Sequence, residues 1–356
     1  MKPQRLAYVL NEFPKLSETF IAEELAEVAR RGMEVLVLSL NRPTDALCHP
    51  LIEEAGLAAR ALYDVAEFAP ALRAFRPDLL HAHFATQPTA AAREMAQALG
   101  IPFTFTAHGY DVYRRPPPDF RERAAAAAAV VTVSRANAEQ LHSAFQVPRE
   151  HMFVVPCGVD TERFRPGPKP SGIPRVLCVA RLKPVKNVLL LLHACRLLLD
   201  RGVEFNCTIV GDGPERDALE TARVRFGLSA AVTLPGPADQ EKVAELWRTA
   251  SVGALSSVSE GMPVSLMEAA ASGVPVVAPR VGGIPELVEN LETGLVFDSG
   301  DAPAMASALQ TLLTQPELRE TMGAAARRRA LERFSISHQV DALLAIWSGV
   351  LEKGGG

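Results

Sequence analysis

Short apolar runs rich in β-branched residues alternate along the chain with longer stretches that have helical spacing. RLAYVL (5–10) predicts a buried strand, and SETFIAEELAEVARR (17–31) predicts a helix with Ser17 at its N-cap and Gly32 at its end. The same alternation continues through later strand-like segments: MEVLVLSL, DLLHAHF, IPFTFTAH, VVTVS and HMFVVP. Short strands separated by helical segments indicate βαβ units and a mainly parallel sheet.

The pattern is interrupted once and then starts again. TERFRPGPKPSGIP (161–174) is rich in proline, glycine and charge, which is typical of an interdomain linker. A second series of alternating segments begins at RVLCVA, and 356 residues are enough for two domains with separate cores. We therefore expect two doubly wound α/β domains, residues 1–165 and 166–333. A terminal amphipathic helix follows within 334–356, and the alanine run 124–129 is expected to be helical.

Composition excludes several classes of protein. A net charge of −4 argues against a general nucleic-acid binder. The five cysteines have no CxxC spacing, which favours buried free thiols in a reducing compartment over disulfides or zinc ligands. The N-terminal apolar run is too short for a signal peptide, and the longest apolar stretch falls short of the about 18 unbroken residues of a membrane span. A soluble, cytoplasmic protein is expected.

The segment SVSEGMPVSLMEAAASGVPVVAP (257–279) places two carboxylates around a helix start. Glu260 lies in the loop after the strand SVGALS, at the sheet edge where open α/β sheets bind ligands. Pro263 suits the first helical position and Gly273 lies just past the end, so a helix is expected over about 263–272. The helix would leave three backbone amides unpaired, those of Val264, Ser265 and Leu266.

A free helix N-terminus carries roughly half a positive charge and suits a phosphate. Because carboxylates accept hydrogen bonds from hydroxyls, Glu260 and Glu268 would hold sugar-like rings on either side of that phosphate. From spacing alone, a capping acid and a solvated helix glutamate are an equally acceptable interpretation.

These residues resemble the signature of the GT-B glycosyltransferases of family 4, and the likeness extends over nearly the whole chain. ARLKPVKN (180–187), IVGDGPER, VGGIPELV and CGVDTERFRP also match. In the N-terminal half, NEFPKLSETFI, HAHF and FTAHGYDVY resemble the branch that builds exopolysaccharides, of the colanic-acid type. The resemblance implies an α/β fold of the GT-B type, with two Rossmann-like doubly wound domains facing a cleft. The first domain would take the acceptor, the second the donor nucleotide, and the C-terminal helix (334–356) would cross back to the first domain.

The resemblance also implies a donor site in the second domain. Arg181 and Lys186 would be catalytic, stabilising the charge that develops on the departing diphosphate. Glu260 would accept hydrogen bonds from the transferred sugar and Glu268 from the donor ribose. Further donor contacts are expected at Gly261, Met262, Val264, Ser265, Leu266 and Pro237. Relatives often have a second glycine where this chain has Pro263. No acidic pair of the DxD type is evident, so neither a metal nor another cofactor is expected.

In the first domain, His108 ends the strand of TAHGYD and is expected to contact the donor sugar or to steady the reacting centre. Asp111 would hold the same loop. Lys15 and Ser17 stand where relatives have a glycine-rich loop near the phosphates, although Ser17 as a simple helix cap is the alternative. His81 and His83 share one face of a strand without a third partner at ligand spacing, which favours packing over metal binding.

The implied function is a retaining transfer of a hexose-type sugar from a nucleoside diphosphate sugar to a glycan or lipid-linked saccharide. Two alternatives remain open: a sugar-nucleotide epimerase or hydrolase on the same fold, and a non-catalytic nucleotide-sugar binding protein. Lys15, Arg30 and Arg31 near the first helix predict docking on the inner face of the plasma membrane, and a solvated basic face is the other interpretation. No nucleic-acid partner is expected.

Overall fold

The structure is a computed structural model that describes residues 2–44, 50–168 and 172–354. Contacts divide the chain into two compact units. The first unit comprises Met1–Gly158 together with Ile336–Gly356, and the second comprises Val159–Ser335.

The strands and helices alternate along the chain as the hydrophobic pattern predicts. The strands are β1 (Arg5–Glu12), β2 (Glu34–Asn41), β3 (Ala61–Leu62), β4 (Leu79–His83), β5 (Phe103–Ala107), β6 (Ala129–Thr132), β7 (Met152–Val154), β8 (Arg175–Val179), β9 (Asn206–Val210), β10 (Val232–Gly236), β11 (Val252–Ala254), β12 (Val276–Pro279) and β13 (Gly294–Phe297). The helices are α1 (Thr19–Arg30), α2 (Pro50–Glu54), α3 (Val65–Phe75), α4 (Gln87–Leu99), α5 (Phe120–Ala126), α6 (Arg135–Phe145), α7 (Val188–Asp200), α8 (Arg216–Arg225), α9 (Gln240–Thr249), α10 (Val264–Ala271), α11 (Ile284–Leu287), α12 (Ala302–Thr314), α13 (Pro316–Arg333) and α14 (Ile336–Gly354).

Both units are built on parallel sheets with the same relative strand order. The first sheet has seven strands in the order β3-β2-β1-β4-β5-β6-β7, and the second has six in the order β10-β9-β8-β11-β12-β13. The order reverses between β1 and β4 and again between β8 and β11, which are the places where such sheets bind ligands at their carboxyl edge. The prediction of two doubly wound α/β domains is confirmed.

Each face of the first sheet carries its own apolar layer. Tyr8 of β1 packs on one face with Leu25 of α1 and Trp347 of α14. The opposite face is covered by a second cluster that includes Phe68 and Phe105. The terminal helix therefore packs into the core of the first unit, because its apolar stripe faces α1 and the sheet.

The unit boundary differs from the expected one. The amide of Val159 donates to the carbonyl of Phe334 (2.9 Å), and the side chain of Phe164 is fully buried. The guanidinium of Arg327 donates to the carbonyls of Thr161 and Phe164 (3.0 and 2.9 Å). The start of the predicted linker therefore belongs to the second unit, and the boundary lies at 158/159 rather than 165/166. Residues 169–171 of that linker lie outside the described residues.

Two local predictions are wrong. Helix α1 begins at Thr19 with no side-chain cap, because Ser17 lies in a turn closed by the Glu18 amide and the Lys15 carbonyl (3.0 Å). The alanine run is not one helix: α5 ends at Ala126, and the amide of Ala128 donates to the Phe103 carbonyl (2.8 Å). Pairing with β5 draws the last alanines into the sheet.

Four cysteines are free and buried, as expected: Cys157, Cys178, Cys195 and Cys207. Cys48 lies outside the described residues. Burial raises the pKa of the Cys157 and Cys178 thiols to about 12, so both stay protonated and unreactive at neutral pH.

The contact between α13 and α10 generates a stability prediction. A Cβ at Gly323 of α13 would lie 2.2 Å from the carbonyl oxygen of Gly273, a backbone atom that cannot move freely. We expect Gly323→Ala to lower the free energy of unfolding by about 1–3 kcal/mol, despite the higher helix propensity of alanine. Urea denaturation followed by circular dichroism measures the change.

The matched control is Gly349→Ala in α14, where an added Cβ meets nothing within 4 Å. This variant is expected to gain up to about 1 kcal/mol from helix propensity. Equal shifts in the two variants would contradict the close approach at Gly323.

Candidate active site

In the second unit, the loops that follow β8 and β11 are hydrogen-bonded to each other. The amide of Val258 donates to the Val185 carbonyl (2.9 Å), and the hydroxyl of Ser256 donates to the Lys186 carbonyl (3.0 Å). Since β8 and β11 are neighbours at the reversal of strand order, both loops lie at the edge where a ligand is expected.

An ion pair joins two of the predicted site residues. Nζ of Lys186 lies 2.5 Å from Oε1 of Glu260, and the hydroxyl of Ser257 donates to the same oxygen (2.6 Å). The Lys186 and Glu260 side chains are only 17% and 10% exposed, so solvent screens this pair less than a surface pair. Arg181 lies on the same β8 loop and is exposed, and within the described residues its guanidinium makes no hydrogen bond or ion pair, although its carbonyl accepts from the Lys183 amide (2.8 Å).

The start of α10 presents unpaired backbone donors. Among the residues that the structure describes, no acceptor is hydrogen-bonded to four of these amides, those of Gly261, Met262, Val264 and Ser265. The prediction for Leu266 is wrong, because its amide donates to the Pro263 carbonyl (3.1 Å) and tightens the first turn. Pro263 is the N-cap of α10 rather than its first helical residue. Successive free amides at a helix N-terminus suit an anion.

Glu268 is buried inside α10 and is not a solvated surface acid. Its side chain is 5% exposed, and the indole Nε1 of Trp247 donates to Oε2 (3.3 Å). Burial raises the pKa of Glu268 to about 7, against the smaller opposing effect of the Trp247 hydrogen bond. The carboxyl group is therefore poised to ionise near neutral pH when further donors reach it.

Pro237 is exposed in the loop that follows β10. It shares the carboxyl edge of the sheet with the loops described above, but β9 separates its strand from β8. The structure therefore places Pro237 on the outer side of the site in this unit.

In the first unit, Asp111 ties together the loops after β4 and β5. Its carboxylate accepts from the amides of His108 (2.8 Å) and Ala85 (2.5 Å). Burial raises the pKa of Asp111 to about 7, although the same two hydrogen bonds oppose the shift. The loop that carries His108 is thus fixed to its neighbour by one buried side chain.

His108 belongs to a buried polar chain that includes residues absent from the predicted site. Its Nε2 lies 3.1 Å from Nδ1 of His83, and Nε2 of His83 lies 3.2 Å from Oε1 of Glu24. Glu24 also accepts from the Tyr8 hydroxyl (3.0 Å) and from Nε2 of Gln339 (2.7 Å).

Glu24 supplies the third partner that spacing did not reveal. Its carboxylate and the rings of His81 and His83 offer polar atoms that all lie within 4.8 Å of one another. Both nitrogens of His81 already have hydroxyl partners, Thr104 at 2.8 Å and Thr106 at 3.0 Å. The sequence feature that could have indicated Glu24 is its position within the apolar stripe of α1, one turn after Ile21.

Four basic or polar residues near α1 lie apart from these clusters. Nζ of Lys15 is paired with Glu12 (3.2 Å) and Glu18 (3.6 Å), and Ser17 is exposed in its turn. Arg30 and Arg31 are both paired with Glu27, and Arg31 is also paired with Asp341. The three cations proposed for membrane contact therefore all have acidic partners.

Two family models match adjoining parts of this chain. Residues 17–163 match the model described as Glycosyltransferase Family 4, and residues 159–329 match that of Glycosyl transferases group 1. The chain belongs to this glycosyltransferase family.

Individual relatives agree with that assignment. The glycosyltransferase is 29% identical to the putative colanic acid biosynthesis glycosyltransferase WcaL of Escherichia coli, over 86% of this chain and 89% of the relative. It is 30% identical to a D-inositol 3-phosphate glycosyltransferase of Acidothermus cellulolyticus, over 78% and 68% of the two chains. The solved structure of Anabaena HepE in complex with UDP-glucose superposes with a TM-score of 0.79 at 18% identity, covering 98% of each chain. The GT-B fold is confirmed. Among the described residues, none of the helices has the length and apolar character that crossing a bilayer requires.

The loop that carries Glu260 depends on a close backbone approach. Gly282 has φ +49°, and a Cβ there would lie 1.7 Å from the backbone oxygen of Glu260. The amide of Gly283 also donates to the Gly261 carbonyl (3.0 Å). We expect Gly282→Ala to displace this loop together with the free amides of Gly261 and Met262, and so to weaken nucleoside diphosphate binding by at least about tenfold. Isothermal titration with UDP, GDP and ADP measures the loss.

Gly300→Ala is the control, because Gly300 also has a positive φ (+88°) but an added Cβ meets nothing within 4 Å. It should show the backbone cost without the loss of binding. Wild-type affinity in Gly282→Ala would contradict a supporting role for Gly282.

Proposed function

We propose that this glycosyltransferase moves a sugar from a nucleoside diphosphate sugar to a hydroxyl of a glycan or lipid-linked saccharide, with retention of anomeric configuration. The observation that carries the proposal is the run of four unpartnered amides at the start of α10, beside the Lys186–Glu260 ion pair. A diphosphate would accept hydrogen bonds from these amides, and a sugar hydroxyl would donate one to the carboxylate, so a ligand with both groups matches the site.

Arg181 and Lys186 would neutralise the diphosphate as it departs. A guanidinium binds phosphate oxygens as a fork, and an ammonium acts as a compact point charge. The Lys186–Glu260 contact holds the ammonium in place before the reaction, so little reorganisation is needed when charge develops. The free amides of α10 add a fixed partial positive charge.

Glu268 would hold the ribose. Two sugar hydroxyls can donate to its carboxylate, and the Trp247 indole orients the group from the other side. Glu260 would accept from hydroxyls of the transferred sugar with the oxygen lone pairs that Lys186 and Ser257 leave available.

Retention would follow from a front-side displacement. The acceptor oxygen forms a bond to the anomeric carbon on the face from which the diphosphate oxygen departs, and the acceptor proton passes to that phosphate oxygen. This route asks the protein for positioning and charge stabilisation, and it needs neither an enzyme nucleophile nor a metal.

The function is tested with a panel of UDP-, GDP- and ADP-sugars, measured for thermal stabilisation and for transfer to saccharide acceptors with and without EDTA. UDP-glucose is the first donor to try, since a protein of the same fold was solved with it. Acceptors from surface polysaccharide synthesis come first because of the likeness to the colanic acid enzyme. Activity that EDTA abolishes and Mg²⁺ or Mn²⁺ restores would overturn the metal-free mechanism.

The same panel separates the alternative functions. Release of the nucleoside diphosphate with no glycosylated product would indicate a hydrolase, and an altered donor sugar would indicate an epimerase. Tight binding of a donor without any turnover would indicate a binding protein.

Membrane docking of this glycosyltransferase stays a prediction. The ion pairs of Lys15, Arg30 and Arg31 reduce the charge that these cations offer to anionic lipid. Flotation with anionic vesicles at low salt tests it, and failure to co-migrate counts against docking.

Substitution of each glutamate separates the two roles. Glu268→Ala should weaken binding of the nucleoside diphosphate by at least about tenfold, because hydrogen bonds to a carboxylate contribute about 1.5–3 kcal/mol. Glu260→Ala should leave that binding within about twofold while turnover collapses. Glu260 contacts the sugar and not the diphosphate, and its removal leaves Lys186 free to bind phosphate. Calorimetric titration with the diphosphate, alongside rates with the intact donor, measures both. Equal weakening of product binding would show that the roles are wrongly assigned.

The pKa of Glu268 predicts a pH dependence of binding. Ribose hydroxyls bind the ionised carboxylate, and a carboxyl with a pKa of about 7 is mostly protonated at pH 6. Nucleoside diphosphate affinity should therefore fall about tenfold from pH 8 to pH 6, with a proton released on binding at the lower pH. Titration in buffers of different ionisation enthalpy measures both quantities.

Glu268→Gln is the matched control for this experiment. It keeps the side-chain volume and leaves only the ionisation of the diphosphate itself. The same pH dependence in both proteins would rule out Glu268 as its source.

A further inference from the structure

The chain Glu24–His83–His108 runs from a buried carboxylate to the carboxyl edge of the first sheet. The exposed fractions rise along it, from 0% for Glu24 and 1% for His83 to 7% for His108. The rings of His83 and His108 are stacked with their centroids 5.4 Å apart, and Phe84 and Phe20 pack against His108. The imidazole of His108 is thus held on several sides.

Glu24 determines which nitrogens carry the protons in this series of hydrogen-bonded side chains. An ionised carboxylate only accepts hydrogen bonds, and Glu24 is surrounded by the Tyr8 hydroxyl, the Gln339 amide and Nε2 of His83. Burial, and then the charge of Glu24, raise the pKa of Tyr8 well above its ordinary value, so the phenol keeps its proton and donates it. These donors allow the carboxylate to be buried.

The tautomers of both imidazoles follow from that arrangement. In its neutral form the imidazole of His83 has a single N–H, and because Glu24 can only accept, that N–H is the one on Nε2. Nδ1 of His83 must then accept, so the proton between the two rings belongs to Nε2 of His108. Burial lowers the pKa of His108 well below its ordinary value, so the ring stays neutral and Nδ1 keeps a lone pair.

We propose that Glu24 and His83 are positioning residues that hold His108 in the tautomer protonated on Nε2, so that Nδ1 accepts a hydrogen bond from a substrate hydroxyl. Nothing in the described part of the chain is hydrogen-bonded to that nitrogen. Its ring lies where β5 ends, at the edge of the sheet that parallel α/β folds use for ligands. The nature of the ligand, a sugar hydroxyl, rests on the proposed function, whereas the tautomer does not.

The tautomer is measured on the wild-type protein by ¹⁵N NMR with selectively labelled histidine. We expect Nδ1 of His108 to give the resonance of an unprotonated nitrogen, and Nε2 the resonance of a protonated one. A proton on Nδ1 of His108 would overturn the proposal. This experiment needs no substrate, so its failure is distinct from a failure to find any sugar donor, which would overturn the proposed function alone.

Two matched variants test the kinetic consequence. His83→Phe removes the acceptor of the His108 proton but keeps an aromatic ring. With the sugar nucleotide that supports turnover, kcat should fall by at least about tenfold while the donor KM stays within about twofold. Part of the His108 population would then carry its proton on Nδ1, and a protonated Nδ1 cannot accept a hydrogen bond from the substrate. The His108 resonances should shift towards a mixture of the two tautomers.

His81→Phe is the control. His81 is a buried histidine on the same face of β4, but its nitrogens bond Thr104 and Thr106 instead of His108. It should cost stability while leaving the His108 resonances and kcat near wild type. Equal losses of kcat in the two variants, or unchanged His108 resonances in His83→Phe, would reduce His83 to a packing residue and overturn the proposal.

Discussion

The parallel pairing of neighbouring strands at the reversal of strand order is the constraint on which the candidate site depends. Because β8 pairs with β9 on one side and β11 on the other, the loops that leave β8 and β11 diverge over opposite faces of the sheet. Lys186 and Glu260 meet near the ends of these loops, shortly before α7 and α10 begin, and two hydrogen bonds join the loops beside them. The free amides of α10 follow within a few residues.

Three buried carboxyl groups differ in the number and kind of their hydrogen-bond partners. Glu24 has three side-chain partners, Asp111 has two backbone amides, and Glu268 has one indole. Burial raises the pKa of Asp111 and Glu268 to about 7, above the values of the unfolded chain. In the window from about pH 4 to 7 the folded state therefore binds more protons, and stability falls as the pH rises. Glu268, with a single side-chain partner, keeps oxygen lone pairs available for a ligand, at a cost in stability.

The sequence patterns predicted the positions of the loops better than they predicted the contacts between residues. The βαβ alternation predicted which segments end at the carboxyl edge, so the loops that bear Arg181, Lys186 and Glu260 could be placed in advance. The predicted cap at Ser17 and the single alanine helix were wrong because backbone pairing outweighed local preference: a turn displaced the start of α1, and β5 drew Ala128 into the sheet. The predicted linker was too long, because its first residues belong to the second unit. Phe164 lies among prolines and charged residues in the sequence, yet its side chain is fully buried there.

The sequence by itself determined the two parallel α/β units and the strand ends that carry the predicted site, because hydrophobic period and turn residues are local properties. The family followed from the resemblance of its motifs. Only the tertiary structure decided which side chains meet. The Lys186–Glu260 pair joins residues 74 positions apart, and the bond from Gln339 to Glu24 spans 315 positions. No periodicity encodes such contacts, since they form only when sheet order and helix packing bring distant segments together. The orientation of His108 therefore became visible only in the folded chain.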